Sequence, residues 1–213
     1  MKAPVYPDAP FPVERLVVAS GQLSASAHKN PYNPLHLDWD FYVKFKPLIV
    51  GKTTHHTAIH IEIETKGIWR LDHFAGMDRH DTDPDFNIGS FYLFDHRPSC
   101  DTQFRVHSVR GTKLDIEADL MVDVGDSYID RKPPLRRVHV RTHVVFNGIL
   151  VSSYGTQSKP DERTLMRVAK KLFDVTAFGP PTKAEDSYQG KPGLNLDFKP
   201  GCRQRRLGPP FQN

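Results

Sequence analysis

Cysteine is scarce: Cys100 and Cys202 are the only two in the chain, far apart and without metal-ligand spacing. That excludes a disulfide framework and a cysteine-based zinc module, and two isolated thiols fit a reducing compartment. Long apolar runs are missing as well, so nothing approaches the roughly 20 residues that a membrane-spanning helix needs. No N-terminal segment joins basic residues to an apolar stretch as a secretory leader does. These absences make a soluble, cytoplasmic chain without a membrane partner the expectation. The net charge is +4, but much of that excess sits in Arg203, Arg205 and Arg206. The remainder is nearly neutral and lacks the basic, aromatic-studded face of a nucleic-acid binder. Reaction-naming motifs are also lacking. There is no Gly-rich phosphate loop, no Gly-x-Ser-x-Gly elbow and no His-Glu-x-x-His, and neither cysteine sits in a nucleophile motif.

What the sequence does contain is alternation. Phe41, Val43 and Phe45 alternate with Tyr42, Lys44 and Lys46 until Pro47. Thr57, Ile59, Ile61 and Ile63 form one face of the next segment; His56, His60, Glu62 and Glu64 form the other. A period of two marks a half-buried strand. Ile68 to Phe74, Ser90 to Phe94 and Phe104 to Val109 read as further strands, and residues 76–89 as an acidic loop. From Thr112 to Val124, Leu114, Ile116, Ala118, Leu120 and Val122 alternate with Lys113, Asp115, Glu117, Asp119 and Asp123, a long strand with one wet face. Asn147-Gly148 between apolar runs predicts a two-residue hairpin turn with arms of about 136–146 and 149–155. One helix follows. Ser158 or Asp161 can cap it, and Leu165, Val168, Ala169 and Leu172 recur at helical spacing.

The expected fold is therefore mainly β: a curled antiparallel sheet, half-barrel or barrel, with one C-terminal helix. Residues 1–34 read as an extended arm and loop, 35–178 as a single β domain with its helix, and 179–213 as a Pro/Gly-rich tail. That tail holds six prolines from Pro180 to Pro210 and is expected to be extended or partly disordered. A sheet that curls covers its edges, and such a cup usually encloses a cavity for a small molecule.

The predicted hairpin sets His143 opposite Ser152 and Arg141 opposite Tyr154, on a face shared with Arg137 and His139. In one reading the Val/Phe face is core and this polar face is solvent. In the other, Arg141, His143 and Tyr154 line a cavity mouth, where Arg clamps a carboxylate and His or Tyr moves protons. Metal binding is not expected. His56 and His60 stand roughly 13 Å apart along a strand, and His60 with Glu62 needs ligands from elsewhere. Asp81, Asp83, Asp85 and Asn87 imitate a calcium loop, but Phe86 and Tyr92 occupy the positions that require Gly and Glu.

Three short pieces carry a resemblance: Tyr42-Val43-Lys44-Phe45-Lys46-Pro47, then Arg70-Leu71-Asp72, then the aromatic strand from Phe91 to Asp95. In this order, over residues 40–96, the chain resembles a group of enzymes acting on tryptophan-derived molecules. These are the violacein-pathway enzyme that rearranges an indole dimer and, more loosely, the bacterial Pictet–Spengler β-carboline synthase. The resemblance implies a curled sheet, no cofactor, and a carboxylate base near the end of the aromatic strand. Asp95 stands there, one methylene shorter than the family's glutamate, and Gly76 lies near the place of its asparagine. It further implies Arg70 as a catalytic or substrate-holding group and Tyr42, Phe45 and Asp72 as substrate contacts. The expected function is a cofactor-independent condensation or cyclisation of an indole-derived small molecule by acid/base catalysis, at Asp95, Arg70, His143 and Tyr154 with Arg141 beside them. The alternative is a non-catalytic carrier of an apolar ligand; a third class is an interaction protein that recruits partners through its Pro-rich ends. A homodimer stays open.

Overall fold

A computed structural model describes residues 11–29, 33–83, 87–93, 96–124, 135–188 and 191–201. Its strands are, in chain order, β1 (Val18–His28), β2 (His36–Phe45), β3 (Leu48–Val50), β4 (Thr53–His55), β5 (Ala58–Thr65), β6 (Asp78–Asp81), β7 (Gly89–Tyr92), β8 (His96–Pro98), β9 (Asp101–Arg110), β10 (Lys113–Asp123), β11 (Leu135–Ser152), β12 (Thr182–Tyr188) and β13 (Lys191–Phe198). One helix, α1 (Glu162–Leu172), lies between β11 and β12. The main sheet runs β6-β9-β10-β11-β1-β2-β5-β7-β8 and curls into a half-barrel, with β13 on the second half of β11 and β12 outside it. β3 and β4 form a separate hairpin.

Alternation builds the curl. Trp39, Phe41 and Val43 of β2, Ile59, Ile61 and Ile63 of β5, and Leu114 to Val122 of β10 all turn one side inward and are buried. The two ends of the curl approach each other: the buried guanidinium of Arg97 lies 3.4 Å from Asp123, and a side chain at Gly89 would overlap Thr102. The expected cavity is filled among the described residues. Phe74 meets Trp39 at 5.0 Å and Phe41 at 5.3 Å between ring centroids, and Phe104 meets Phe41 at 4.8 Å. Trp39 donates its indole N–H to Thr65 Oγ1 at 2.8 Å, which satisfies its polar end inside the core. Asp161 caps α1 by accepting from the Thr164 N–H. Leu165, Ala169 and Leu172 are buried in the same core as Phe173 and Phe198, and the Phe173 ring meets Phe178 at 5.2 Å and Phe198 at 5.1 Å.

Several sequence expectations are corrected. Residues read as loop between 20 and 34 include β1, a central strand. Its alanines face the core there: Ala25 is buried and paired with Trp39 and Ile149. β1 pairs with β11 in parallel, so the sheet is mixed rather than purely antiparallel. The hairpin at Asn147-Gly148 does not form. β11 runs straight through it as one 18-residue strand. Its first part pairs with β10 and its last residues with β13, while β1 follows both, with a register shift at Leu23/Ser24. Gly148 has φ 134° and faces the Phe198 carbonyl, so glycine serves a bulge and a close strand approach. Ile68 to Phe74 is not a strand: Leu71–Phe74 forms a 3-10 turn, and the Trp69 N–H docks on the Leu172 carbonyl at 2.8 Å. β6 interrupts the expected acidic loop. The segment after 179, read as an extended or partly disordered tail, contains β12 and β13, with Leu196 and Phe198 in the core. No helix among the described residues is long and apolar enough to cross a membrane.

Candidate functional site

With the interior packed, chemistry-bearing side chains stand on the outer face. Register decides which of them meet. β2 is paired on one side with β1 and on the other with β5, so outer residues form cross-strand rows: Ser26–Asp38–Glu64, Ser24–Asp40–Glu62 and Gln22–Tyr42–His60. Two rows thus set carboxylates directly opposite each other, a destabilising arrangement unless cations or donors intervene.

At the Asp40–Glu62 row the compensating group is His60. Its Nε2 lies 2.7 Å from Asp40 and 3.8 Å from Glu62, and its side chain is only 14% exposed. Burial works against the imidazolium, but the hydrogen bond to Asp40 and the charges of Asp40 and Glu62 outweigh it, so the His60 pKa is raised. Aromatic rings surround it. Tyr42 is 6.3 Å from His60 between centroids, Tyr92 6.0 Å and His96 6.5 Å, and Tyr92 and His96 are 5.0 Å apart. The Tyr92 hydroxyl pKa is raised by burial and then by Glu62, Tyr42 and Asp40. The result is an open patch of flat rings around a His–Asp pair, with Glu62 beside it.

Beside the Asp38–Glu64 row stands His36, buried at 3% exposure. Its Nδ1 lies 2.7 Å from the Pro34 carbonyl, and its Nε2 lies 3.3 Å from Asp38 and 4.0 Å from Glu64. His36, Asp38 and Glu64 are the one group among the described residues whose donor atoms gather closely enough to hold a metal ion.

The residues singled out from sequence do not converge. Asp95 lies outside the described residues. Arg70 is exposed and donates to Asp72 at 3.0 Å on the 3-10 turn. Arg141 and His143 are exposed on β11, opposite Glu117 and Asp115 rather than Tyr154 and Ser152. Arg141 donates to Asp115 at 3.2 Å. Tyr154 follows the end of β11 and donates its hydroxyl to the Lys191 carbonyl. Phe45 is buried in the core. Among the described residues of the set, Tyr42 alone stands in the His60 patch. The Asp81 carboxylate accepts from the backbone N–H groups of Asp83 and Ile88, so it shapes a turn rather than an ion site.

The sequence showed half of the true cluster. The His60/Glu62/Glu64 face is plain from the period of two, but its partners Asp38 and Asp40 enter only through the β2–β5 register. No family model matches the chain, and no curated protein or solved structure matches it.

Proposed function

We propose that the outer face binds a small aromatic amine of the tryptophan-derived kind, and that His60, held by Asp40, moves a proton on it during a condensation or cyclisation. The observation that supports this reading most is the 2.7 Å His60–Asp40 contact inside the ring of Tyr42, Tyr92 and His96. A flat ring system stacks on tyrosine and histidine faces, and an ammonium is attracted both by such faces and by carboxylates. Asp40 and Glu62, already forced together, gain from a cation. In a condensation with an aldehyde, amine and carbonyl lose water to give an iminium, the ring carbon closes on it, and one proton remains to be removed. Neutral His60 accepts that proton, and Asp40 stabilises the imidazolium that results. No oxidant or reductant enters. The resemblance over residues 40–96 is consistent with the same chemistry, although Asp95 is not the group assigned here.

One observation favours the non-catalytic alternative. The patch is open, with the Glu62 side chain 70% exposed, and a site that does not exclude water is better suited to holding a ligand than to transforming it. Calorimetric titration of the full chain with tryptamine, indole and butylamine tests the binding. Tryptamine should bind more tightly than either part alone, and Tyr92→Ala and Asp40→Asn should both weaken it. With an aldehyde present, product formation that falls roughly 10²-fold in His60→Gln supports catalysis. Binding without turnover favours the carrier. No binding by any of the three sinks the reading.

A further inference from the structure

We propose that His36, Asp38 and Glu64 form a binding site for a divalent transition-metal ion such as Zn²⁺. Sequence spacing gives no hint of it, because its ligands come from two strands and meet only through the Asp38–Glu64 pairing.

Three independent features point to a cation. First, the donor atoms are suitably placed. Ligands bound tetrahedrally at about 2.0–2.1 Å lie about 3.3 Å from one another. His36 Nε2 is 3.3 Å from Asp38 Oδ1 and 4.0 Å from Glu64 Oε2, so a small inward movement of two surface carboxylates completes the set. Second, the histidine is oriented for ligation. The Nδ1–H of the buried ring is directed at the Pro34 carbonyl at 2.7 Å, which leaves Nε2 turned towards the carboxylates. A backbone carbonyl holding the far nitrogen is the usual outer partner of a metal-ligating histidine. Third, the two carboxylates directly opposite each other repel in the empty state. Lys66 lies 3.3 Å from Glu64, and Asn33 donates to it at 2.9 Å. Among the described residues, the ion-pair partners of Asp38 are imidazoles, the second being His28 Nε2 at 3.8 Å. His28 stacks on His36 at 6.3 Å between ring centroids, with its Nε2 2.8 Å from Ser26 Oγ. One imidazole with two carboxylates is a donor set that suits zinc and its neighbours rather than calcium or magnesium.

The test is Zn²⁺ titration of the tag-free full chain, followed by calorimetry and thermal melting, with Co²⁺ as a spectroscopic probe. One equivalent should bind and raise Tm, and Co²⁺ should give the visible absorption of a four- or five-coordinate ion. Asp38→Asn and Glu64→Gln should weaken Zn²⁺ binding by at least the roughly 10- to 100-fold that loss of an outer-shell partner costs. Because each substitution also relieves the carboxylate repulsion, Tm without metal should stay level or rise. His107→Gln, at the separate His107–Glu117 pair, should change nothing. The proposal is overturned by absent stoichiometric uptake or by undiminished binding in Asp38→Asn and Glu64→Gln. A loss of binding in His107→Gln also overturns it. So does a fall in metal-free Tm in both carboxylate variants, which would make the cluster an ordinary ion-pair network.

Discussion

Replacing Gly148 with alanine separates a bulge in a continuous strand from a hairpin turn. In β11, Gly148 has φ 134°, and a Cβ there would overlap the backbone oxygen of Phe198 on β13. Two costs add. A side chain at such a φ costs about 1–3 kcal/mol. Moving a paired, buried strand out of contact adds about 1–3 kcal/mol, the range for forcing extra volume into a packed core. A total of about 4 kcal/mol corresponds to a fall in Tm of roughly 8–16 °C for a chain of this size. Urea unfolding followed by tryptophan fluorescence measures it, with the midpoint expected to move and the slope to stay. In an exposed two-residue turn the second cost would be missing. A loss below about 2 kcal/mol, short of the two costs together and within the first alone, would refute the continuous strand and the β11–β13 contact.

Three further outcomes follow from the same geometry. Thr65→Val keeps shape but strips the Trp39 indole N–H of its acceptor inside the core; a loss of about 1–3 kcal/mol is expected from chemical unfolding. Ending the chain at residue 181 removes Leu196 and Phe198, both almost fully buried, each worth about 1.5–3 kcal/mol. Such a chain should be insoluble or protease-sensitive, and one that folds like the full chain would contradict the place of β13. His60→Gln tests linkage: a raised folded pKa stabilises the fold below the ordinary value of 6.5, and that contribution fades as pH rises through the folded pKa. The variant should lose more stability at pH 6 than at pH 9, where equal losses would show that the Asp40 and Glu62 charges do not act on it. Asp40, Glu62 and Tyr42, with Tyr92 and His96 from β7 and β8, are the groups facing that ring.

The fold was legible wherever one face is wet. β2, β5 and β10 read directly from their alternation, and α1 from its cap and its apolar spacing. β1 was hidden because its residues are small on both faces: Ser24 and Ser26 outside, Ala25 and Ala27 buried inside, a loop composition without strand-forming side chains. Asn147-Gly148 misled because glycine's freedom serves a bulge as well as a turn, and parallel pairing with a strand far away in sequence overrode the local signal. The candidate site was half visible for a similar reason. Histidines and acids on alternate positions can be read within one strand, but which carboxylates they meet depends on register with another. Arg141, His143 and Tyr154 were grouped by a hairpin that does not exist, so their grouping fell with it.

The proposed role of the His60 patch is tested most directly by the ¹⁵N signals of the imidazole rings, followed through a pH titration with and without tryptamine. His60 should titrate above 6.5, the ordinary value. Tryptamine should lower its pKa, since an ammonium at Asp40 and Glu62 competes with the imidazolium for the same charges. By reciprocity, tryptamine affinity should rise as pH increases through the His60 titration. A His60 signal that titrates at or below the ordinary value and ignores tryptamine at every pH would contradict the account.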